Sequence, residues 1–199
     1  MFTGIISDLG SLVSRDGGEF VFDSAYDPAS IDLGASIACD GCCLTVTKVE
    51  PLTGHGARFF MDVSNETLDC TTLGGWVPGQ KINFERALKM GDEFGGHIVT
   101  GHVDAVVSVK DRIDDGDSVR FTFEMPGDIA PFLAPKGSVT LNGTSLTVNG
   151  VGEDAFDVNL IPHTLEVTSW GGVNVGDRIN LEVDVIARYV ARQSTALNK

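Results

Sequence analysis

The stretch Asp40-Gly-Cys-Cys-Leu-Thr-Val-Thr47 has a near copy in Asn142-Gly-Thr-Ser-Leu-Thr-Val-Asn149, at an offset of 102 residues (142 − 40). Each copy opens with a turn signal, because Asp-Gly and Asn-Gly tolerate the positive φ that a type I′ hairpin turn requires. Side chains alternate between the two faces of a strand, so each copy has a mainly apolar face and a polar one. Cys43 and Ser145 occupy equivalent places on the polar faces. The two hairpins therefore predict two similar sites.

Three more pairs of segments recur in the same order at an offset of 97 residues (100 − 3). They are Thr3-Gly4 with Thr100-Gly101, residues 62–68 with 159–165, and residues 79–85 with 176–182. The chain is therefore an internal duplication. Short strands separated by Gly, Asn and Asp turns favour small β-barrels. We expect an all-β fold with a first barrel over residues 1–95, a second over 96–186, and a tail over 187–199.

The segments outside the hairpins also have recognisable patterns. Residues 1–6 predict a strand that starts at the first residue. One helical turn per repeat is expected, over residues 66–72 and 162–170. In the tail, one face of a helix would carry Ile186, Tyr189, Val190 and Leu197. This short amphipathic helix has two candidate docking partners, its own chain and other subunits.

Composition excludes several classes of function. A chain of 199 residues that is 42% hydrophobic can bury a core. Its net charge of −14 argues against nucleic acids and anionic membranes as partners, because like charges repel. No apolar run approaches the roughly 20 residues that span a bilayer, and the N-terminus lacks the pattern of a secretory signal. We therefore expect a cytoplasmic protein whose four cysteines are reduced thiols.

The spacing of Cys39 and Cys42 is that of a C-x-x-C motif, which occurs in zinc and dithiol sites. Here the intervening Asp-Gly is a hairpin turn, so the two cysteines would face each other across neighbouring strands. The second copy has Leu141 and Thr144 at these positions, so the fold does not depend on a metal. We expect no metal site.

Four titratable residues depart from the repeat or stand alone. His97 and His102 are five positions apart, which places them on opposite faces of an extended segment and makes them poor joint ligands. A lone histidine is usually a core or surface residue, but His102 replaces Ile5 of the first repeat with a polar group. Lys136 and Asp184 stand where the first repeat has Gly and Ala, and each is more often a solvated or structural charge.

Four segments together resemble the riboflavin synthase family, over essentially the whole chain. They are Met1-Phe-Thr-Gly-Ile-Ile6, Asp40-Gly-Cys-Cys-Leu-Thr-Val-Thr47, Gly95-Gly-His-Ile-Val-Thr-Gly-His-Val-Asp104 and Asn142-Gly-Thr-Ser-Leu-Thr-Val148. The resemblance implies two homologous six-stranded Greek-key β-barrels plus a C-terminal α-helix that gathers three chains into a homotrimer. It leaves open whether a lumazine synthase shell encloses that trimer.

The resemblance also implies a reaction, the last step of riboflavin biosynthesis. Two molecules of 6,7-dimethyl-8-ribityllumazine undergo dismutation without a metal or an organic cofactor. One receives a four-carbon unit and becomes riboflavin, and the other leaves as 5-amino-6-(ribitylamino)uracil. Donor and acceptor are the same compound, so two similar pockets are required and a duplication supplies them. In the family, the working site lies between the first barrel of one chain and the second barrel of its neighbour.

By this resemblance, the substrate contacts fall into two sets of residues. The first set is Gly4, Ile5, Ile6, Cys43, Leu44, Thr45, Asp62, Val63, Ser64, Asn65, Glu66 and Thr67. The second set is Gly101, His102, Val103, Lys136, Ser145, Leu146, Thr147, Ile161, Pro162, His163 and Thr164. His163 stands where many relatives carry a glutamate, which changes the expected polar contacts of the second pocket.

Six residues are candidates for catalysis. They are Phe2, Cys43, His102, Ser145, Thr147 and Asp184. His102 would transfer protons, helped by the hydroxyl groups of Ser145 and Thr147. Cys43 would activate or add to the acceptor ring, since a thiol is the strongest latent nucleophile available. Phe2 would cover a ring, and Asp184 matches a family position implicated in activity.

Two other classes of function stay open. One is a non-catalytic carrier of lumazine or flavin, built on the same duplicated barrels. Such carriers tend to lose the reactive polar groups, whereas Cys43, His102 and Ser145 are all present here. The other is the flavin-binding barrel of an oxidoreductase, which needs a nicotinamide-binding βαβ domain. The chain is too short and too rich in strand patterns to contain one.

Overall fold

The computed structural model describes residues 1–197, which form two closed antiparallel β-barrels followed by a helix. The first barrel consists of β1 (Asp8–Asp16), β2 (Glu19–Ser24), β3 (Ser36–Cys39), β4 (Cys42–Pro51), β5 (Ala57–Asp62) and β6 (Lys81–Arg86). The second consists of β7 (Ala105–Asp115), β8 (Ser118–Glu124), β9 (Ser138–Leu141), β10 (Thr144–Val151), β11 (Ala155–Leu160) and β12 (Arg178–Val183). The helices are α1 (Asn65–Cys70), α2 (Pro162–Val167) and α3 (Val185–Leu197). The expected all-β fold with a C-terminal helix is confirmed.

Both barrels have one topology. Neighbouring strands follow the order β1-β2-β5-β4-β3-β6 in the first barrel, and the second repeats it as β7-β8-β11-β10-β9-β12. The pairing of β2 with β5, and of β8 with β11, makes each barrel a Greek key rather than a simple meander. Closure pairs each of these twelve strands on both sides, so residues 1–197 contain no open sheet edge.

The two hairpin turns have the predicted conformation. The φ angles are 42° at Asp40 and 81° at Gly41, and 42° at Asn142 and 78° at Gly143. After each turn the strand alternates as expected, with the apolar side chains of β4 and β10 turned to the barrel interior. Beyond a bulge at Val46 the register of β4 shifts, so the strict alternation ends there.

Residues 1–6 do not form the predicted strand. They make one β-bridge, between Phe2 and Val99, and β1 begins only at Asp8. The chain turns at Gly4, whose φ is 79°, and this conformation interrupts any extended strand. The first six residues are therefore a loop that reaches across to the second repeat.

The three helices lie close to the predicted positions. Each single helical turn is followed by a 3-10 helix, over Thr72–Gly75 or Ser169–Gly172. Helix α3 begins at Val185, two residues before the predicted tail, and the side chain of Leu197 and residues 198–199 lie outside the described part. The boundaries at residues 95 and 186 stay predictions. Among residues 1–197, no helix is long and apolar enough to cross a membrane.

Aromatic side chains fill both barrels. The first core contains Phe20, Phe22, Phe59, Phe84 and Trp76, and the second contains Phe121, Phe123, Phe156 and Trp170. Most of these rings are fully buried and meet edge-to-face or stacked. The two clusters are separate and each belongs to one repeat, so each repeat has its own core. Burying each large apolar side chain contributes roughly 1.5–3 kcal/mol to stability.

The two barrels meet at their hairpin turns. A Cβ built on Gly41 would lie 2.8 Å from the Gly143 nitrogen, so neither turn has space for a side chain there. Two asparagines on the last strands bridge this junction. Asn83 donates from Nδ2 to the Asn142 carbonyl at 2.9 Å, and Asn180 donates to the Asp40 carbonyl at 2.9 Å. The duplication therefore produces a pseudo-twofold contact that locks one barrel against the other.

Candidate functional site

Two buried carboxylates anchor the two Thr-Gly loops. Glu85, at the end of β6, accepts hydrogen bonds from the nitrogen of Thr3 at 2.7 Å and of Gly4 at 2.9 Å. Glu182, at the end of β12, accepts from the nitrogens of Thr100 at 2.7 Å, Gly101 at 2.8 Å and His102 at 2.9 Å. Burial raises the pKa of Glu85, while the N–H donors oppose that rise. Each carboxylate satisfies a row of backbone donors that would otherwise be unpaired inside the protein.

Each anchored loop then crosses to the hairpin of the other barrel. The Gly4 carbonyl accepts from the Ser145 nitrogen at 2.8 Å, and the Gly101 carbonyl accepts from the Cys43 nitrogen at 2.8 Å. A Cβ on Gly4 would lie 2.5 Å from the Cβ of Ser145. In the same way, a Cβ on Gly101 would lie 2.5 Å from the Cβ of Cys43, the residue equivalent to Ser145. Glycine is required at both positions, by this contact and by the positive φ. The structure thus brings together Gly4 with Ser145 and Gly101 with Cys43, which belong to different sets in the sequence prediction.

The polar faces of β4 and β10 carry the candidate reactive groups. Cys43 and Ser145 are half-buried, and Thr45 and Thr147 beside them are exposed. These faces are therefore accessible, as a substrate surface must be.

His97 joins the second polar face. Its Nδ1 lies 2.7 Å from the Ser145 hydroxyl, and its Nε2 lies 3.1 Å from the Thr140 hydroxyl. Burial lowers the pKa of His97, and the charge of Asp184 partly opposes this. A neutral imidazole has one N–H and one acceptor nitrogen, so it can accept from Ser145 while donating to Thr140. The pair resembles the arrangement in which a histidine polarises a serine hydroxyl.

The remaining catalytic candidates have different surroundings. His102 is exposed, and its backbone nitrogen donates to the Glu182 carboxylate. Asp184 is half-buried, and its Oδ1 accepts from the Ile186 nitrogen at 2.8 Å. Phe2 is fully buried in a small apolar cluster that Cys43 packs against. In the single chain, Phe2 therefore supports the Cys43 strand and offers no free ring face.

Lys136 has the backbone conformation of a glycine. Its φ is 69°, and its first-repeat equivalent Gly34 has φ 82°. Both nitrogens donate to the strand that follows, Lys136 to Val148 at 2.7 Å and Gly34 to Val46 at 2.8 Å. A non-glycine residue in this region costs energy that surrounding structure must offset, and such positions cluster at functional sites. The exposed Lys136 side chain is thus presented beside the second polar face at a conformational cost.

The other predicted contact residues divide into exposed and buried groups. Ile5 and Ile161 are 50% and 57% exposed, and they offer apolar surface for a flat ring. Leu44 and Val63 are buried in the first core, so their backbones alone are available to a ligand. Val103 also packs against the first core, although it belongs to the second repeat.

The starts of the two short helices complete the predicted sets. In the first repeat, the Ser64 hydroxyl caps α1 by accepting from the Thr67 nitrogen at 3.2 Å, and the neighbouring residues 65 and 66 are exposed. In the second, Ile161 precedes α2 and caps no N–H with its side chain. Pro162 and His163 there are exposed and Thr164 is half-buried. The two repeats therefore differ in polarity at this position.

The C-x-x-C cysteines belong to the first core. Cys39 and Cys42 pair across β3 and β4, as predicted, and both are buried. Burial raises the pKa of Cys42 to about 12 and that of Cys39 well above its ordinary value, so both remain thiols. Within residues 1–197, no three His, Cys, Asp or Glu side chains are grouped so as to hold a metal ion.

Three residues that the structure places at the site were not predicted to belong to it: Glu85, Glu182 and His97, which was interpreted as an ordinary core or surface histidine. Glu85 and Glu182 were detectable, because the same glutamate ends both copies of one repeated segment. His97 had no such signal, since its position in the first repeat would precede Met1. Its role depends on the approach of Ser145, which only the packed structure shows.

Known proteins share this duplicated architecture. A family model described as "Lumazine binding domain" matches residues 3–87 and again residues 100–184. The riboflavin synthase of Brucella abortus (strain 2308) is 53% identical over 197 residues, which cover 96% of this chain and 97% of that protein. This chain belongs to the riboflavin synthase family. The riboflavin synthase of Bacillus subtilis (strain 168) is 35% identical and covers 96% of this chain and 89% of its own length.

Solved structures agree on the fold. The crystal structure of LumP complexed with 6,7-dimethyl-8-(1'-D-ribityl) lumazine has a TM-score of 0.75 and 22% identity, covering 92% of this chain and 99% of that one. LumP complexed with riboflavin has a TM-score of 0.76 and 23% identity, with the same coverage. At this identity the likeness shows the fold alone. Membership of the riboflavin synthase family rests on the closer sequence relatives, and it confirms the resemblance predicted from the four segments.

Proposed function

We propose that this chain catalyses the dismutation of 6,7-dimethyl-8-ribityllumazine. A four-carbon unit passes from one lumazine to a second, giving riboflavin and 5-amino-6-(ribitylamino)uracil. The atoms of two lumazines equal those of the two products, so no further reactant is consumed. The observation that carries the proposal is the pair of equivalent polar faces, on Cys43 and Ser145, in two barrels of one topology. A reaction between two molecules of one compound requires such a pair.

The two predicted sets of contact residues are proposed to bind the donor and the acceptor lumazine. On each face, a half-buried strand residue lies beside an exposed threonine, and an exposed isoleucine is available to the ring. Ligand sites commonly combine apolar surface with a few placed polar groups. On the second face, Lys136 and His163, which lies near the start of α2, would contact the ribityl chain. Glu66 is the equivalent of His163 in the first repeat. Holding two rings in one orientation can supply several orders of magnitude in rate.

The chemistry needs a proton to leave the C7 methyl group of one lumazine, and the ring delocalises the resulting charge. A hydroxyl held by a neutral imidazole can relay a proton to or from a bound ring, and Ser145 with His97 has this arrangement. His102, on the exposed loop, is the second candidate for proton transfer. The Cys43 thiol would add to or activate the acceptor ring and leave when the new ring closes.

A homotrimer with its site between chains is proposed for the assembly. Helix α3 exposes Ile186, Tyr189 and Val190. It contacts its own chain at the 3-10 helix Ala130–Phe132 and through an ion pair of 2.7 Å between Arg188 and Asp104. Apolar side chains exposed together often mark an interface. A trimer would bring the Cys43 face of one chain against the Ser145 face of its neighbour. Light scattering of the wild type and of Tyr189→Glu tests this, because the charge should shift the mass from three chains to one.

The function is tested by incubating the chain with 6,7-dimethyl-8-ribityllumazine in the presence of a chelator. Riboflavin should form at half the molar amount of lumazine consumed. Cys43→Ser and His102→Gln should each reduce turnover. The matched control for the histidine is His55→Gln, which changes an exposed histidine outside the predicted contact sets. Full activity in a site variant would remove that residue from the mechanism. Tight binding of lumazine without turnover would contradict the proposal and place the chain among carriers.

A further inference from the structure

A cleft of about 500 Å³ lies between the two barrels, and none of the predicted lumazine contacts lines it. Its walls come in equivalent pairs from the two repeats: Thr72 with Ser169, Gly75 with Gly172, and Lys81 with Arg178. Asp40 and Asn142 line it from the hairpin turns and are 3% and 7% exposed. The cleft is therefore a product of the duplication, separate from the two polar faces on Cys43 and Ser145.

Two cations from opposite barrels flank this cleft. Lys81 and Arg178 are exposed, and neither side chain has an ion pair or hydrogen bond to the described part of the chain. Two carboxylates also line the cleft. Asp177 accepts from the Asn174 nitrogen at 2.8 Å, and one oxygen of Asp40 accepts from a buried backbone nitrogen at 2.8 Å. Each carboxylate thus has a hydrogen-bond donor from the protein, whereas the two cations have no partner among the described residues. An anionic ligand would supply that partner.

Polar groups next to the cleft have spare hydrogen-bonding capacity. Within residues 1–197, the shielded Ser169 hydroxyl oxygen has no partner, and such buried groups are uncommon. The side-chain oxygen of Asn142 is occupied, since it accepts from the Asn180 nitrogen at 2.9 Å, so its amide N–H groups remain as donors. These donors and the two cations together suit the several oxygens of a phosphate better than the two of a carboxylate.

The rest of the lining is apolar. Trp76, Val173 and Ile179 contribute it, and an added Cβ on Gly75 or Gly172 would meet no heavy atom within 4 Å. The volume falls in the roughly 300–1,000 Å³ range of sites for small organic ligands, which is far more than an inorganic ion fills. We propose that this cleft binds a small phosphate monoester, with its phosphate at Lys81 and Arg178 and its organic body against Trp76.

The test is a calorimetric titration of the full chain with phenyl phosphate, at constant ionic strength and with saturating riboflavin on the polar faces. We expect saturable binding that riboflavin does not displace and that is tighter than the binding of inorganic phosphate. The double variant Lys81→Ala/Arg178→Ala should bind more weakly by about tenfold for each cation removed. The matched control Lys48→Ala/Arg112→Ala removes one exposed lysine and one exposed arginine outside the cleft and should bind like the wild type.

A second variant tests the cleft by shape rather than charge. Gly172→Leu should abolish binding of phenyl phosphate and leave riboflavin formation unchanged, because the side chain would enter the cleft and not the polar faces. Displacement by riboflavin, equal binding of inorganic phosphate, or an equal loss in the control double variant would each overturn the proposal. Absence of saturable binding in the wild type would overturn it as well.

Discussion

Asp40→Asn should stabilise the protein, and by an amount that grows with pH. Asp40 is almost completely buried at the barrel junction, and burial raises the pKa of its carboxyl from the ordinary 3.8 to about 7. Asn142 shows that an amide fits there, because its Oδ1 accepts from Asn180 at 2.9 Å just as the Asp40 Oδ1 accepts from Asn83 at 2.8 Å. The two residues share φ 42°. The variant therefore keeps the turn and its hydrogen bond but removes the buried charge.

The sign follows from proton binding. Between pH 4 and pH 7 the folded state holds the Asp40 proton and the unfolded state does not, so wild-type stability falls as the pH rises through this window. The stability that comes from protonated Asp40 in the folded state is fully present below pH 4 and is lost above pH 7. Three pKa units correspond to about 4 kcal/mol, since each unit is about 1.4 kcal/mol. Asp40→Asn should therefore gain about 2 kcal/mol at pH 5 and about 4 kcal/mol at pH 8.

Urea unfolding at equal chain concentration, followed by the summed fluorescence of Trp76 and Trp170 in the two cores, measures both values. The opposite exchange, Asn142→Asp, is the matched control, and it should lower stability most strongly at pH 8. The same gain for Asp40→Asn at both pH values, or no gain at either, would show that the Asp40 carboxyl does not carry a raised pKa in the folded protein.

Three further substitutions follow from the loops of the site. Gly101→Ala places a Cβ 2.5 Å from the Cys43 Cβ, on a backbone with φ 81°. It should lower the free energy of unfolding in urea by about 2–4 kcal/mol and reduce turnover. Wild-type stability and turnover would contradict the contact. Lys136→Gly should add about 1 kcal/mol of stability, since Gly34 adopts the same conformation, while lumazine KM rises; an unchanged KM would remove the side chain from the pocket. Glu182→Gln replaces an acceptor oxygen by a donor and should cost about 3 kcal/mol, with faster hydrogen exchange at the loop amides; unchanged exchange would refute the anchoring role.

Local rules were sufficient for the hairpins and the strand faces. Asp-Gly and Asn-Gly select the turn by their own conformational preference, and alternation assigns each side chain of β4 to a face without reference to the rest of the chain. Because the sequence is duplicated, the same turn preference and alternation also predict the hairpin and strand faces of the second barrel. Topology then came from the family resemblance, since the pairing of β2 with β5 is a long-range choice that no turn dictates.

The predicted strand over residues 1–6 failed for a related reason. Its apolar residues are compatible with a strand. However, the Glu85 carboxylate accepts hydrogen bonds from the backbone nitrogens of Thr3 and Gly4 and holds these residues in a turn. A strand would have left that buried carboxylate without its donors, which costs more than a few strand hydrogen bonds contribute. The competing partner lies about 80 positions away in the chain, outside any local pattern.

The sequence by itself determined that this protein has two equivalent hairpins, two barrels and two similar polar faces, because repeated residues produce repeated local structure. The tertiary structure decided how the halves exchange contacts. Gly4 meets Ser145, Gly101 meets Cys43, and His97 reaches a hydroxyl of a distant strand only when both barrels are packed. Burial and hydrogen bonding between residues far apart in the chain depend on that packing, and neither periodicity nor turn preference contains the information.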